Sequence, residues 1–175
     1  MIKANFRNQS GQAILEFATV VVLMTTLVFG LIDFGRAIYA QEVITNMTRE
    51  GSKLASSGFD VGGTAAAIIN QSDLPNFPTT GEVIVTSVEN ENGQYIITSQ
   101  AVQGVGPGSK LGSTIGGIAS NLPPSAQNVA LNGLSIYVTE VYYAFKPVTP
   151  IGALLKLGGS GNPNLPAELY DIAYF

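Results

Sequence analysis

Between Ala13 and Ile32 the chain reads AILEFATVVVLMTTLVFGLI, twenty residues with Glu16 as the only charge. Wound as an α-helix, such a run rises about 30 Å, the thickness of a bilayer's hydrocarbon core. The three threonines fit, because each hydroxyl can return to the carbonyl four residues earlier. Gly30 fits too, since helix bonds in lipid face no competing water. Lys3 and Arg7 precede the run and no acid lies before Glu16. The positive-inside rule therefore puts the N-terminus in the cytoplasm and the remainder outside. The far flank carries both signs, Asp33 and Arg36, which can pair at helical spacing.

A cleavable secretory signal accounts poorly for this segment. Its cut needs small residues, and the best position, after Ala40, places bulky Ile38 three residues upstream. A plain signal anchor accounts for everything except Glu16. A carboxylate within a membrane helix costs on the order of 3 kcal/mol by insertion scales, so something should offset it.

Composition removes several chemistries. The 175 residues contain no Cys and no His, which excludes disulfides, thiolate nucleophiles, His-based acid–base catalysis and the common zinc sites. A net charge of −4 with eight scattered basic residues does not make a nucleic-acid binder. Gly104-Val105-Gly106-Pro107-Gly108-Ser109-Lys110 is no phosphate loop, because Lys does not follow the last Gly of that pattern and no strand leads into a helix. The acids beyond the helix are dispersed as Asp60, Asp73, Glu82, Glu89, Glu91, Glu140, Glu168 and Asp171, and Glu89 with Glu91 reads as a solvated hairpin tip. No metal site and no cofactor are expected.

The helical pattern continues past the apolar run. Ala37, Ala40, Ile44, Met47, Gly51 and Leu54 alternate spacings of three and four, one apolar stripe, with Glu42, Asn46, Arg49 and Lys53 opposite. One helix is expected from about residue 13 to 56, closed by Gly58. Thr64–Asn70 suits a short helix beginning near Gly63, and Ser72–Gly81, with Pro75 and Pro78, a loop. Val83–Val88 and Tyr95–Ala101 are β-rich runs flanking Asn92-Gly93, a strong hairpin signal. Gly104–Asn128 reads as a long loop or partly mobile insertion, Leu134–Phe145 as a third strand whose aromatics cover a sheet face, and Glu168–Phe175 as a closing strand. The fold class is α+β: a long N-terminal helix packed on a small antiparallel sheet of about four strands.

Ser10-Gly11-Gln12-Ala13-Ile14-Leu15-Glu16-Phe17 resembles the processing site of prepilins in the tight-adherence branch of the type IV pilus family. The resemblance implies cleavage after Gly11, giving a chain that begins at Gln12 with Glu16 fifth and Phe17 sixth. Phe29–Ala37, Thr48-Arg49-Glu50-Gly51 and the strand ending in Lys146-Pro147-Val148-Thr149-Pro150 are similar to the TadE-like pseudopilins of that branch. Residues 60–130 carry no such likeness.

The resemblance implies a pilin-like molecule: a leader over 1–11, a spanning and stalk helix over 12–57, and an extracytoplasmic α+β domain over 58–175. Major pilins of this branch are little more than the helix, so the added domain points to a structural minor pilin or pseudopilin, not an enzyme. Its expected partners are other pilin subunits, a prepilin peptidase, an inner-membrane assembly platform with its ATPase, and membrane lipid before assembly. Gln12 and Glu16 are expected to set subunit register. The expected location is the inner membrane, in a single pass, with the cell surface after assembly. The alternative is a single-pass, membrane-anchored periplasmic binding protein or enzyme that never enters a filament.

Overall fold

The computed structural model describes residues 9–150 and 168–175. In chain order these form α1 (Gln9–Ser56), α2 (Val61–Asn70), α3 (Phe77–Thr80), β1 (Gly81–Glu91), β2 (Gln94–Gly104), α4 (Pro124–Val129), β3 (Ser135–Tyr143) and β4 (Leu169–Tyr174). They fall into two compact units. One joins α1 up to Arg36 with residues 147–150; the other joins α1 from Ala37 with the chain through Lys146 and with residues 168–175.

In the second unit, an antiparallel sheet of order β2-β1-β3-β4 forms the middle layer. The β1–β2 hairpin turns on Asn92 (φ 55°) and Gly93 (φ 87°), both left-handed, as a two-residue loop matching the strand twist requires. A bulge at Ser87/Val88 shifts the register between these strands.

The outer part of α1 lies on one face of the sheet. Helix and strand approach so closely at Gly51 that a Cβ there would come within 2.8 Å of Thr139 Cγ2 and Oγ1. Buried Thr48 and Ser52 add polar ties, the first donating to Asp171 Oδ2 at 2.6 Å and the second to the Ala173 carbonyl at 2.9 Å. The helix ends as the glycine signal predicts. Gly58 takes φ 99°, its N–H reaches the Ala55 carbonyl at 3.2 Å, and the Phe59 N–H reaches Leu54 at 3.4 Å, the paired bonds of a Schellman motif.

Asp60 then caps α2, accepting from the N–H groups of Gly62 and Gly63. Those two bonds, Gly63's the larger influence, hold the Asp60 carboxyl below its ordinary pKa. The helix thus begins two residues before Gly63. Within the expected loop, Pro78 sits in the first turn of α3, and buried Phe77 stacks on Tyr143 with ring centroids 5.8 Å apart.

The segment read as a long loop or partly mobile insertion is irregular up to α4, as a loop is, yet it packs as the third layer. Leu111, Ala119, Leu122, Ala126 and Ala130 pack on Val88, Ile97, Ile136 and Val138, so the Gly- and Pro-rich stretch supplies half of a core. It also guards the sheet edge, pairing Ile118 with Ile96 and exchanging backbone bonds between Ile97 and both Gly116 and Gly117.

Two carboxylates fasten this layer. Glu82 accepts from the Gly108 N–H at 2.8 Å. Glu140, fully buried, accepts from the Lys110 N–H at 3.0 Å, the Tyr170 hydroxyl at 2.9 Å and the Ser109 hydroxyl. The Lys110 ammonium stands over the Tyr170 ring, 3.3 Å from its centroid, so the cation rests on an aromatic face. Burial, then the Glu140 charge, raises the Tyr170 phenol well above its ordinary pKa; the same two influences raise Tyr142.

Candidate functional site

The inner part of α1 has the surface of a helix built for surroundings other than its own chain. Residues 11–28 are all exposed, and the helix is long and apolar enough to cross a membrane. The Thr19, Thr25 and Thr26 hydroxyls bond to the carbonyls of Leu15, Val21 and Val22 at 2.8–2.9 Å, so each threonine hydroxyl in the run is internally satisfied.

Gln12 and Glu16 lie one turn apart on this exposed surface. The Gln12 side-chain amide donates to Glu16 Oε1 at 3.0 Å, and both residues are exposed. Phe17 beside them is exposed. Gly11 is helical, and a Cβ there would meet nothing within 4 Å. Nothing inside the fold demands glycine at that position, although glycine within a helix costs about 1 kcal/mol relative to alanine. Gly51 stands in contrast, since the contact with Thr139 requires it. Residues 1–8 of the expected leader lie outside the described residues.

Along the outer stripe, Ala37, Ala40, Ile44, Met47 and Gly51 are buried and Leu54 is half-buried. The stripe is wider than its apolar pattern, because Thr48, Ser52 and Ala55 are buried with it. Their small side chains fit the close approach, and the two hydroxyls find partners on β4.

Asp33 marks the end of the apolar run. It is 1% exposed, and its carboxylate accepts from the Val148 N–H at 2.9 Å, the Thr149 N–H at 3.3 Å and the Thr149 hydroxyl. Arg36, expected from spacing to pair with Asp33, adds an electrostatic attraction to the same carboxylate. The sequence signal for the Val148 and Thr149 contacts was present only as two separate motifs, 115 residues apart.

Several of the dispersed acids have structural partners. Glu82 and Glu140 are spent on the 105–110 backbone and its neighbours, and Glu91 is exposed at the hairpin tip. Among the described residues there is no group of three or more Asp or Glu side chains able to hold a metal ion.

The architecture is thus an exposed helix of membrane-crossing length and apolarity that continues into the amphipathic helix of an α+β unit. Residues 11–53, covering that helix almost to its end, match the family model of the TadE-like proteins. The likeness to the TadE-like family is therefore confined to α1, about a quarter of the chain. No curated protein matches the chain significantly, and neither does any solved structure.

Proposed function

We propose that this protein is a minor pilin or pseudopilin that enters, or primes, a tight-adherence pilus through its N-terminal helix. The observation that carries this reading is the placement of Glu16: a carboxylate on the exposed surface of a membrane-length helix, within the TadE-like segment, bonded among the described residues to the Gln12 amide.

Removal of a leader after Gly11 creates an α-ammonium at Gln12. In a staggered bundle, that ammonium of one subunit meets Glu16 of a neighbour and displaces the weaker amide contact. Two charges that are costly alone become a mark of register when paired, and loss of either strands the other. The open space around Gly11 supports a requirement set from outside the fold, such as a peptidase that accepts only a small residue before the cut. The substantial domain beyond residue 57 favours a minor rather than a major subunit.

The test is incorporation of Glu16→Ala and Glu16→Gln proteins into sheared pili, measured as subunit stoichiometry. The expected result is loss of both variants from the filament while membrane levels stay normal. Incorporation of the Glu16→Ala protein at wild-type stoichiometry would contradict the register role.

A further inference from the structure

We propose that the turn Pro147–Pro150 is a second membrane contact, seated in the lipid headgroup interface and held at the outer end of the spanning helix by Asp33. The inference rests on the reading that residues 13–32 span the bilayer.

Position comes first. Asp33 is the residue directly after the apolar run, about 1.5 Å further along the helix than Ile32. Hydrogen bonds of 2.9 and 3.3 Å from Val148 and Thr149 fix the turn's backbone at that same level. A helix that places Ile32 at the edge of the hydrocarbon therefore places this turn there too.

Chemistry comes second. Irregular backbone is excluded from the hydrocarbon because its N–H and C=O groups go unsatisfied there; water in the headgroup zone serves the carbonyls, which leaves the free N–H groups to be met. This turn has none to spare. Pro147 and Pro150 carry no N–H, and those of Val148 and Thr149 are given to Asp33. The one side-chain hydroxyl, that of Thr149, goes to the same carboxylate. The carboxylate in turn is withdrawn from solvent at 1% exposure, so a charge at the membrane boundary is sheathed by three donors.

Surface comes third. With its N–H groups and hydroxyl occupied, the turn presents Val148, 67% exposed. Leu31 and Phe34, flanking Asp33 on α1 by two residues and one, are exposed as well. These form an apolar fringe continuous with the spanning surface, and an aromatic side chain at this level suits the headgroup zone. The partner this fits is a lipid surface.

Because the chain contains no Cys, single nitroxide labels can be placed without background. The full chain is reconstituted in vesicles of phosphatidylethanolamine and phosphatidylglycerol, with labels at Val22→Cys, Val148→Cys or Ile115→Cys. Collision with lipid-soluble oxygen is compared with collision with a water-soluble nickel chelate. The expected result is a lipid-like label at 22, a water-like label at 115, and a label at 148 shielded from nickel at headgroup depth. Asp33→Asn, and independently Thr149→Val, should remove that shielding and bring 148 to the accessibility of 115. A water-like 148 beside a lipid-like 22 overturns this inference alone. A water-like 22 overturns the spanning reading with it. Shielding at 148 that survives both substitutions overturns the role given to Asp33.

Discussion

Thr149 donates both its backbone N–H, at 3.3 Å, and its hydroxyl to the carboxylate of Asp33, and the Val148 N–H joins them at 2.9 Å. Hydrogen bonds to a charged acceptor contribute about 1.5–3 kcal/mol each, and an amide side chain in place of the carboxylate brings a donor to face donors. Asp33→Asn should therefore speed amide exchange at Val148 and Thr149 by about tenfold or more, since 1.4 kcal/mol corresponds to a factor of ten. Exchange followed by mass spectrometry checks it, and unchanged protection there would mean the contact carries little of the turn's order.

Gly51 and Thr139 provide a test of helix–sheet packing. Alanine is normally the better helix residue by about 1 kcal/mol. Here the added Cβ would meet Thr139, fully buried and branched, at 2.8 Å. Overpacking of this kind costs about 1–3 kcal/mol. Gly51→Ala should lower the urea midpoint of the full chain in detergent, and Thr139→Ala in that background should restore much of it. Gly35→Ala, where a Cβ meets nothing, should not lower it.

Tyr142, buried, and Tyr170, half-buried, give the protein a limit at alkaline pH. Burial first, and Glu140 second, raise the phenol pKa values of Tyr142 and Tyr170 above the unfolded value of about 10. Below pH 10 both states hold these protons. Above it the unfolded chain releases them while the folded one retains them, so stability is lost as pH rises. The urea midpoint should fall steeply beyond pH 10, and less steeply in Tyr142→Phe. Tyr170→Phe should also cost about 1.5–3 kcal/mol at neutral pH, because its hydroxyl serves the buried Glu140 carboxylate.

Features written in local chemistry were legible in the sequence. Asn92-Gly93 specified the hairpin through two left-handed residues, Gly58 specified the end of α1, and the stripe from Ala37 to Leu54 ran along the helix face that is largely buried. The TadE-like likeness of residues 11–53 was legible for the same reason, since it lies in one continuous stretch. Asp60 was a missed local signal: an Asp before Val61-Gly62-Gly63-Thr64 is a cap in waiting. What could not be read depended on distant partners. Gly and Pro between residues 104 and 128 suggested looseness, yet Leu111 and Leu122 are buried because Val88, Ile136 and Val138 receive them. Glu140 looked like one acid among eight until Ser109, Lys110 and Tyr170 were brought to it. Wider burial on α1 at Thr48 and Ser52 follows from β4, more than a hundred residues later in the chain.

The N-terminus of the protein recovered from its native envelope tests the pilin account most directly. Intact mass and terminal sequencing should give a chain that starts at Gln12, with Glu16 as its fifth residue. A chain that keeps Met1, in cells whose prepilin peptidase is active, would contradict the account and leave a simple membrane anchor.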